Sequence, residues 1–228
     1  MTAATMQRAV RALKRHLEAL QAVGVNEMPI ARKEEARESK TVALKRLEQE
    51  VIACTRCSLY RTRTRAVFGE GHPNAKLVFV GEAPGRDEDL QGRPFVGAAG
   101  KLLTKMIEAM GFSREEVYIC NVLKDRPPNN RTPLPEEVNA CLPFLIQQLE
   151  IIQPKIICAL GASAAKALLG PDIAIMKIRG QVRNYHGIPL IATLHPAYLL
   201  RNPAAKKLVW QDLKHVKRLL DAESLATD

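Results

Sequence analysis

The sequence predicts an α/β fold, a largely parallel sheet with helices on both faces. From Lys76 onward, short apolar runs rich in β-branched residues alternate with longer stretches of helical pattern, the signature of strand–helix–strand units. Three of those runs also end in chemically unusual residues, and in such sheets sites form just past the carboxyl ends of strands. No apolar run approaches the length of about 18 residues that a membrane-spanning helix needs.

Strands are expected at residues 77–80 in "KLVFVGEAPG", 117–120 in "EVYICNV", 156–160 in "KIICALG" and 190–194 in "GIPLIATLH". Each is short, apolar and bounded by turn residues. Between them lie "GAAGKLLTKMIEAMGF", a helix with Gly111 as its stop, and "TPLPEEVNACLPFLIQQLEIIQP", a helix opened by Pro and Glu. "ASAAKALLG" forms a short helix and "PAAKKLVWQDLKHVKRLLDA" closes the chain. Upstream, residues 4–22 read as a basic helix, and a charged stretch grades into a second helix ending near Cys54. Residues 1–45 are therefore read as a helical, charged extension, and residues 46–222 as the compact domain.

With 228 residues, 46% of them apolar, the chain can bury a proper core. The N-terminus lacks the uninterrupted apolar segment of a signal peptide, so a cytoplasmic location with no membrane partner is expected. Lys and Arg exceed Asp and Glu by ten, which favours a polyanionic partner, nucleic acid or a membrane surface; a solubilising surface charge is the plain alternative. Five cysteines make an odd count, and in a reducing compartment metal binding or burial are the readings to weigh.

The strand ends carry the chemistry. "GEAPG" after residue 80 has neither dinucleotide-fingerprint spacing nor a Walker lysine. It makes a tight turn whose backbone N–H groups can hold carbonyl oxygens or a water. Glu82, Asp87, Glu88 and Asp89 add negative charge beside it, or simply form the acidic start of a helix. Phe95 sits in "GRPFVG", held by Arg93-Pro94 and Gly97; it is either a core plug or a rigid surface on which a planar ligand stacks. Asn121 can donate and accept side by side, as reading a base edge requires. His195 at the last strand end can donate to a developing oxyanion or bond a backbone carbonyl. Carboxylate, aromatic, amide and imidazole converge where an α/β sheet places its site.

"GEAPGRDEDLQGRPFVGAAGKLL", "NVLKDRPPNNRTP" and "LHPAYLLRNPAAKK" resemble the family 4 uracil-DNA glycosylases, the iron–sulfur type of bacteria and archaea. The similarity runs from about Cys54 to Lys217. It implies a three-layer α/β/α domain with a central four-stranded, mainly parallel sheet, acting as a monomer that excises uracil from DNA. By position, Phe95 would stack on the extruded uracil and Asn121 would read its polar edge. Glu82 and the backbone at Ala83 would line the pocket, Glu88 would help hold the attacking water, and His195 would stabilise charge on uracil O2. Arg201 and Lys206, in the "YLLRNPAAKK" loop, would grip phosphates. The best-known uracil glycosylases carry an Asp where this chain has Ala83. A dissociative mechanism dominated by electrostatics follows, with Glu82 or Glu88 aiding water secondarily.

The resemblance also implies a [4Fe–4S] cluster. Cys54 and Cys57 form a C-x₂-C pair, and Cys141 is the family's last cluster cysteine. The third is expected sixteen residues before it, where this chain has Asp125. Either Asp125 supplies an oxygen ligand, or the cluster is incomplete or absent. Cys120 and Cys158 read as buried strand residues. The second functional reading is a catalytically weak relative that binds uracil-containing or single-stranded DNA, or accompanies a polymerase. Covalently trapping relatives carry an inserted loop with a histidine, which residues 121–133 lack.

Overall fold

Alternation along the strands decides which face each side chain joins. Val78, Val80, Tyr118, Cys120, Ile157, Ala159, Leu190 and Ala192 fill one core layer, whereas Leu77, Phe79, Ile119, Ile156, Cys158, Leu160 and Ile191 fill the other. Because both faces are covered, the strands read as continuous apolar runs. The structure is a computed structural model and describes residues 38–225 together with the single residue Lys14. The chain divides into two units, Met1–Arg37 and Glu38–Asp228, and the helix expected over residues 4–22 lies, apart from Lys14, outside the described residues. No described helix is long and apolar enough to cross a membrane.

The second unit opens with α1 (Lys40–Ile52), whose first turn is capped by the Ser39 hydroxyl accepting from the Val42 N–H. The domain boundary expected at residue 45 falls inside this helix, and its Leu44, Leu47 and Val51 are buried in the first core layer. There follow β1 (Glu70–Gly71), β2 (Leu77–Gly81), α2 (Arg86–Gln91), α3 (Ala98–Ala109), β3 (Tyr118–Asn121) and α4 (Pro135–Ile152). The chain continues through β4 (Ile156–Leu160), α5 (Ala162–Leu169), α6 (Ile175–Ile178), β5 (Val182–Tyr185), β6 (Ile188–Thr193), α7 (Pro196–Arg201) and α8 (Lys206–Leu225). Residues of α1, α4 and α5 cover one face of the sheet, and residues of α3, α7 and α8 cover the other. This is the expected three-layer arrangement.

The sheet has six strands in the order β1-β3-β2-β4-β6-β5, two more than expected. The four central strands are parallel, and β1 and β5 add antiparallel edges on β3 and β6. Neither edge carries a strong pattern. β1 is two residues long, too short to show periodicity, and three of the four residues of β5 are exposed. β5 turns into β6 through His186 and Gly187, with φ of 48° and 89°, the positive-φ pair that a tight hairpin demands.

Candidate active site

The parallel register brings three strand ends to one edge. Gly81 lies opposite Asn121 and Leu160 opposite Thr193. The chain leaves β2 into the Glu82–Gly85 turn and leaves β6 into His195. Between these exits lies a pocket of about 490 Å³ whose walls include Glu82, Ala83, Phe95, Asn121, His195 and Arg201.

Phe95 is 6% exposed and has a left-handed backbone, φ 51°, a conformation that costs free energy unless its surroundings impose it. They do so from three sides. Glu88 Oε1 accepts from the N–H groups of Val96 and Gly97, each at 2.9 Å. The Arg114 guanidinium donates to the carbonyls of Phe95 (3.2 Å) and Pro94 (2.9 Å), and is itself paired with Glu70. Gly100 lets α3 close on this turn, since a Cβ there would lie 1.9 Å from the Phe95 carbonyl. The Phe95 ring ends tilted 31° to the His195 ring, centroids 5.7 Å apart.

Asn121 is 2% exposed, and its Oδ1 is buried with no hydrogen-bond partner among the described residues. An orphaned buried acceptor costs about 1–3 kcal/mol, so this amide is one that a ligand would complete. Beneath it, the buried Lys124 ammonium donates to the Asn121 carbonyl (2.8 Å), the Phe68 carbonyl (3.3 Å) and Gln148 Oε1 (2.6 Å). Gln148 passes the network on to the Phe68 carbonyl and the Tyr118 hydroxyl.

His195 caps α7. Its Nδ1 accepts from the Ala197 N–H at 3.1 Å, so Nε2 carries the proton. Burial, with the positive charge of Arg201 adding to it, lowers its pKa from 6.5 to about 4, against a smaller opposing pull from Glu88. The ring is therefore a neutral donor at physiological pH. Gly161 makes room for it: a Cβ there would sit 3.0 Å from the His195 Cβ.

The two carboxylates differ. Glu88 is fully engaged, since its Oε2 also accepts from the Gly85 N–H at 3.0 Å. It closes the turn and holds the Phe95 loop. Glu82 lines the pocket and makes no side-chain hydrogen bond among the described residues, so its oxygens are open to a water or ligand. Ala83 lines the wall between them. Lys206 is exposed at the start of α8 and is not among the residues lining the pocket.

The four expected metal-ligating residues do not fit a four-ligand cluster as they stand. Such a cluster is ordinarily held by four thiolates, and this donor set has three sulfurs and one carboxylate. Both Asp125 oxygens accept from Arg63 Nη1 at 2.9 Å. Burial pushes the Cys57 thiol up and the Cys141 thiol to about 12. Among the described residues no group of three or more His, Cys, Asp or Glu is placed to hold a metal ion. Cys120 and Cys158 are buried strand residues, as expected.

Gly100, Arg114, Lys124 and Gln148 were not singled out by sequence reasoning. Gly100 had a usable signal, a glycine inside a helical pattern, which often marks a close approach. Arg114, Lys124 and Gln148 had none, because a lysine or arginine reads as solvated surface unless the fold is known to bury it.

Residues 68–214 match the family model of the uracil DNA glycosylase superfamily. The chain is 48% identical to the type-4 uracil-DNA glycosylase of Sulfurisphaera tokodaii, over 78% of this chain and 84% of that protein. It is also 48% identical to the type-4 uracil-DNA glycosylase of Thermotoga maritima, over 78% of this chain and 94% of that protein. A weaker match, 29% identical, covers 68% of this chain and 17% of a DNA polymerase of Bacillus phage SP01. With matches of this extent on both sides, the chain belongs to the uracil DNA glycosylase superfamily, within its type-4 family.

Proposed function

We infer that this protein is an enzyme that removes uracil from DNA by hydrolysing its N-glycosidic bond, the opening step of base excision repair. The observation that carries the reading is the unpartnered Asn121 amide oxygen, buried in one pocket with Phe95 and His195.

A base stacked in a duplex cannot reach this pocket, so the nucleotide must swing out at a cost of a few kcal/mol in stacking and pairing. The Phe95 ring, fixed by Glu88, Arg114 and Gly100, offers a face for the extruded base. The Asn121 amide can then accept from one polar group of the base edge and donate to its neighbour, as uracil N3–H and O4 require. The backbone at Ala83 completes the wall. As the glycosidic bond breaks, negative charge grows on uracil O2, where the neutral His195 donates through Nε2. A pre-oriented donor of this kind is worth roughly 3–4 kcal/mol by analogy with oxyanion holes, and its low pKa keeps it a neutral donor. Glu82 has oxygens free to orient the water that captures the sugar. Glu88, with three N–H groups on its carboxylate, acts by positioning Phe95. No step is assigned to Cys54, Cys57, Asp125 or Cys141, none of which lines the pocket.

Arg201 at the pocket wall and Lys206 beyond it suit phosphate contacts, consistent with the net charge of +10. A monomer working in the cytoplasm at the nucleoid is the setting that fits this reading. The phage polymerase match favours a second one, a DNA-binding module with weak or no catalysis. Incubation with a uracil-containing oligonucleotide followed by alkali separates the two. Strand breaks that disappear in His195→Ala and Asn121→Ala support the enzyme; binding without breaks selects the module.

A further inference from the structure

We propose that the Arg63–Asp125 ion pair stands in for the fourth vertex of an iron–sulfur cluster in this chain, so that the domain keeps its shape with no such cluster. Asp125 occupies the position, sixteen residues before Cys141, at which the type-4 resemblance expects a cysteine. Its carboxylate is turned to Arg63, and the exposures of the two side chains are 14% for Arg63 and 4% for Asp125.

The pair does the mechanical work of a vertex. One arm of the Arg63 guanidinium, Nη1, donates to both Asp125 oxygens at 2.9 Å; the other, Nη2, donates to the Ile52 carbonyl at the end of α1. Arg63 thus joins the end of α1 to the loop that follows Asn121. The adjoining segment is held independently: the buried Asp89 accepts from the Thr64 N–H and hydroxyl, both at 2.8 Å. Val51, Leu59, Leu123, Cys141 and Phe144 belong to one core layer, and the Arg56 guanidinium lies 4.6 Å from the Phe144 ring centroid.

Electrostatics oppose a switch to iron. If Asp125 ligated a metal, the Arg63 charge would remain nearly buried without its partner, a costly arrangement. A carboxylate is moreover a harder ligand than the thiolate it would replace. The inference is independent of the uracil reading, because no pocket residue takes part in it.

The test uses the full chain purified anaerobically from iron-replete cells, with iron, acid-labile sulfide and the visible spectrum measured per chain. The expected result is no stoichiometric iron or sulfide, no cluster absorption, and an unfolding midpoint unmoved by chelator. After reconstitution with iron and sulfide, Asp125→Cys takes up more of both than the wild type does. Stoichiometric iron and sulfide in the wild type, or equal uptake by both proteins, overturns the proposal. The ion pair is read separately by its double-mutant cycle. Arg63→Met and Asp125→Leu each lower the melting temperature by roughly 6 °C or more, and the double variant recovers most of that loss. A double variant no more stable than the worse single one contradicts the staple. If a single variant does not fold, the double variant and the wild-type iron content still decide the matter.

Discussion

Gly81 lies opposite Asn121 across the β2–β3 ladder, and a Cβ on it would fall 2.3 Å from the Asn121 amide oxygen and 2.4 Å from Phe95 Cζ. The missing side chain is what lets the amide and the aromatic ring face the same pocket. Gly81→Ala must therefore displace one of them. A displacement near an ångström at a reacting centre costs about 100-fold in rate. Single-turnover uracil release should fall by that order while circular dichroism still reports the α/β fold. A rate within about twofold of wild type would show that the packing of Gly81 is not limiting.

Arg114 reaches the site only through the Phe95 and Pro94 carbonyls, which makes it a positioning residue. Arg114→Met should lower kcat/KM by roughly tenfold or more and weaken inhibition by free uracil. Affinity for DNA containing an abasic site should hold. Glu70→Gln, which loosens Arg114, should follow in the same direction, and Arg114→Lys should recover part of the loss. Parallel losses of uracil and abasic-DNA binding would instead mark Arg114 as a general structural residue.

Lys124 is buried with three acceptors around its ammonium, and Gln148 sits on the same network. Lys124→Met strands the Asn121 and Gln148 oxygens, while the Phe68 carbonyl keeps its bond from the Gln148 amide. Urea unfolding should report about 1–3 kcal/mol of lost stability. Adding Gln148→Leu removes one stranded group, so the double variant should lose less than the sum of the two single ones. Simple additivity would mean that the two side chains do not cooperate.

The pH dependence follows from His195, whose pKa falls from 6.5 to about 4 on folding, chiefly through burial and secondly through Arg201. If the neutral ring is the donor, kcat/KM should stay level down to about pH 5 and fall through the acidic limb below it. Arg201→Ala should move that limb to higher pH. Stability responds in the same window. Between pH 6.5 and about 4 the unfolded chain binds a proton at this ring that the folded chain does not. The His195 contribution is therefore fully present above the unfolded pKa and declines as pH falls toward the folded one. A limb near pH 6.5 that Arg201→Ala leaves in place would contradict the assignment.

The central parallel strands, the main helices and the pocket residues Glu82, Phe95, Asn121 and His195 were legible because strand ends gather functional groups and apolar runs mark buried strands. Phe95 could be named but its strained backbone could not, since the forces that impose it come from Glu88, Gly100 and Arg114, spread along the chain. The edge strands escaped because a strand of two residues, or one of four mostly exposed ones, carries no burial pattern. The family resemblance makes Asp125 either an oxygen ligand or the mark of an incomplete or absent cluster, and the sequence does not choose between them. The ion-pair partner of Asp125, Arg63, lies sixty-two residues away in sequence, and no local pattern announces such a pair.

The most direct measurement is single-turnover release of uracil from a uracil-containing oligonucleotide, with enzyme in excess, for wild type, Asn121→Ala and His195→Ala. The wild type should release stoichiometric uracil, and each variant should do so roughly 100-fold or more slowly, with binding to abasic DNA preserved. A wild-type protein that binds the oligonucleotide and releases no uracil, or variants that release it at the wild-type rate, would contradict the roles given to Asn121 and His195.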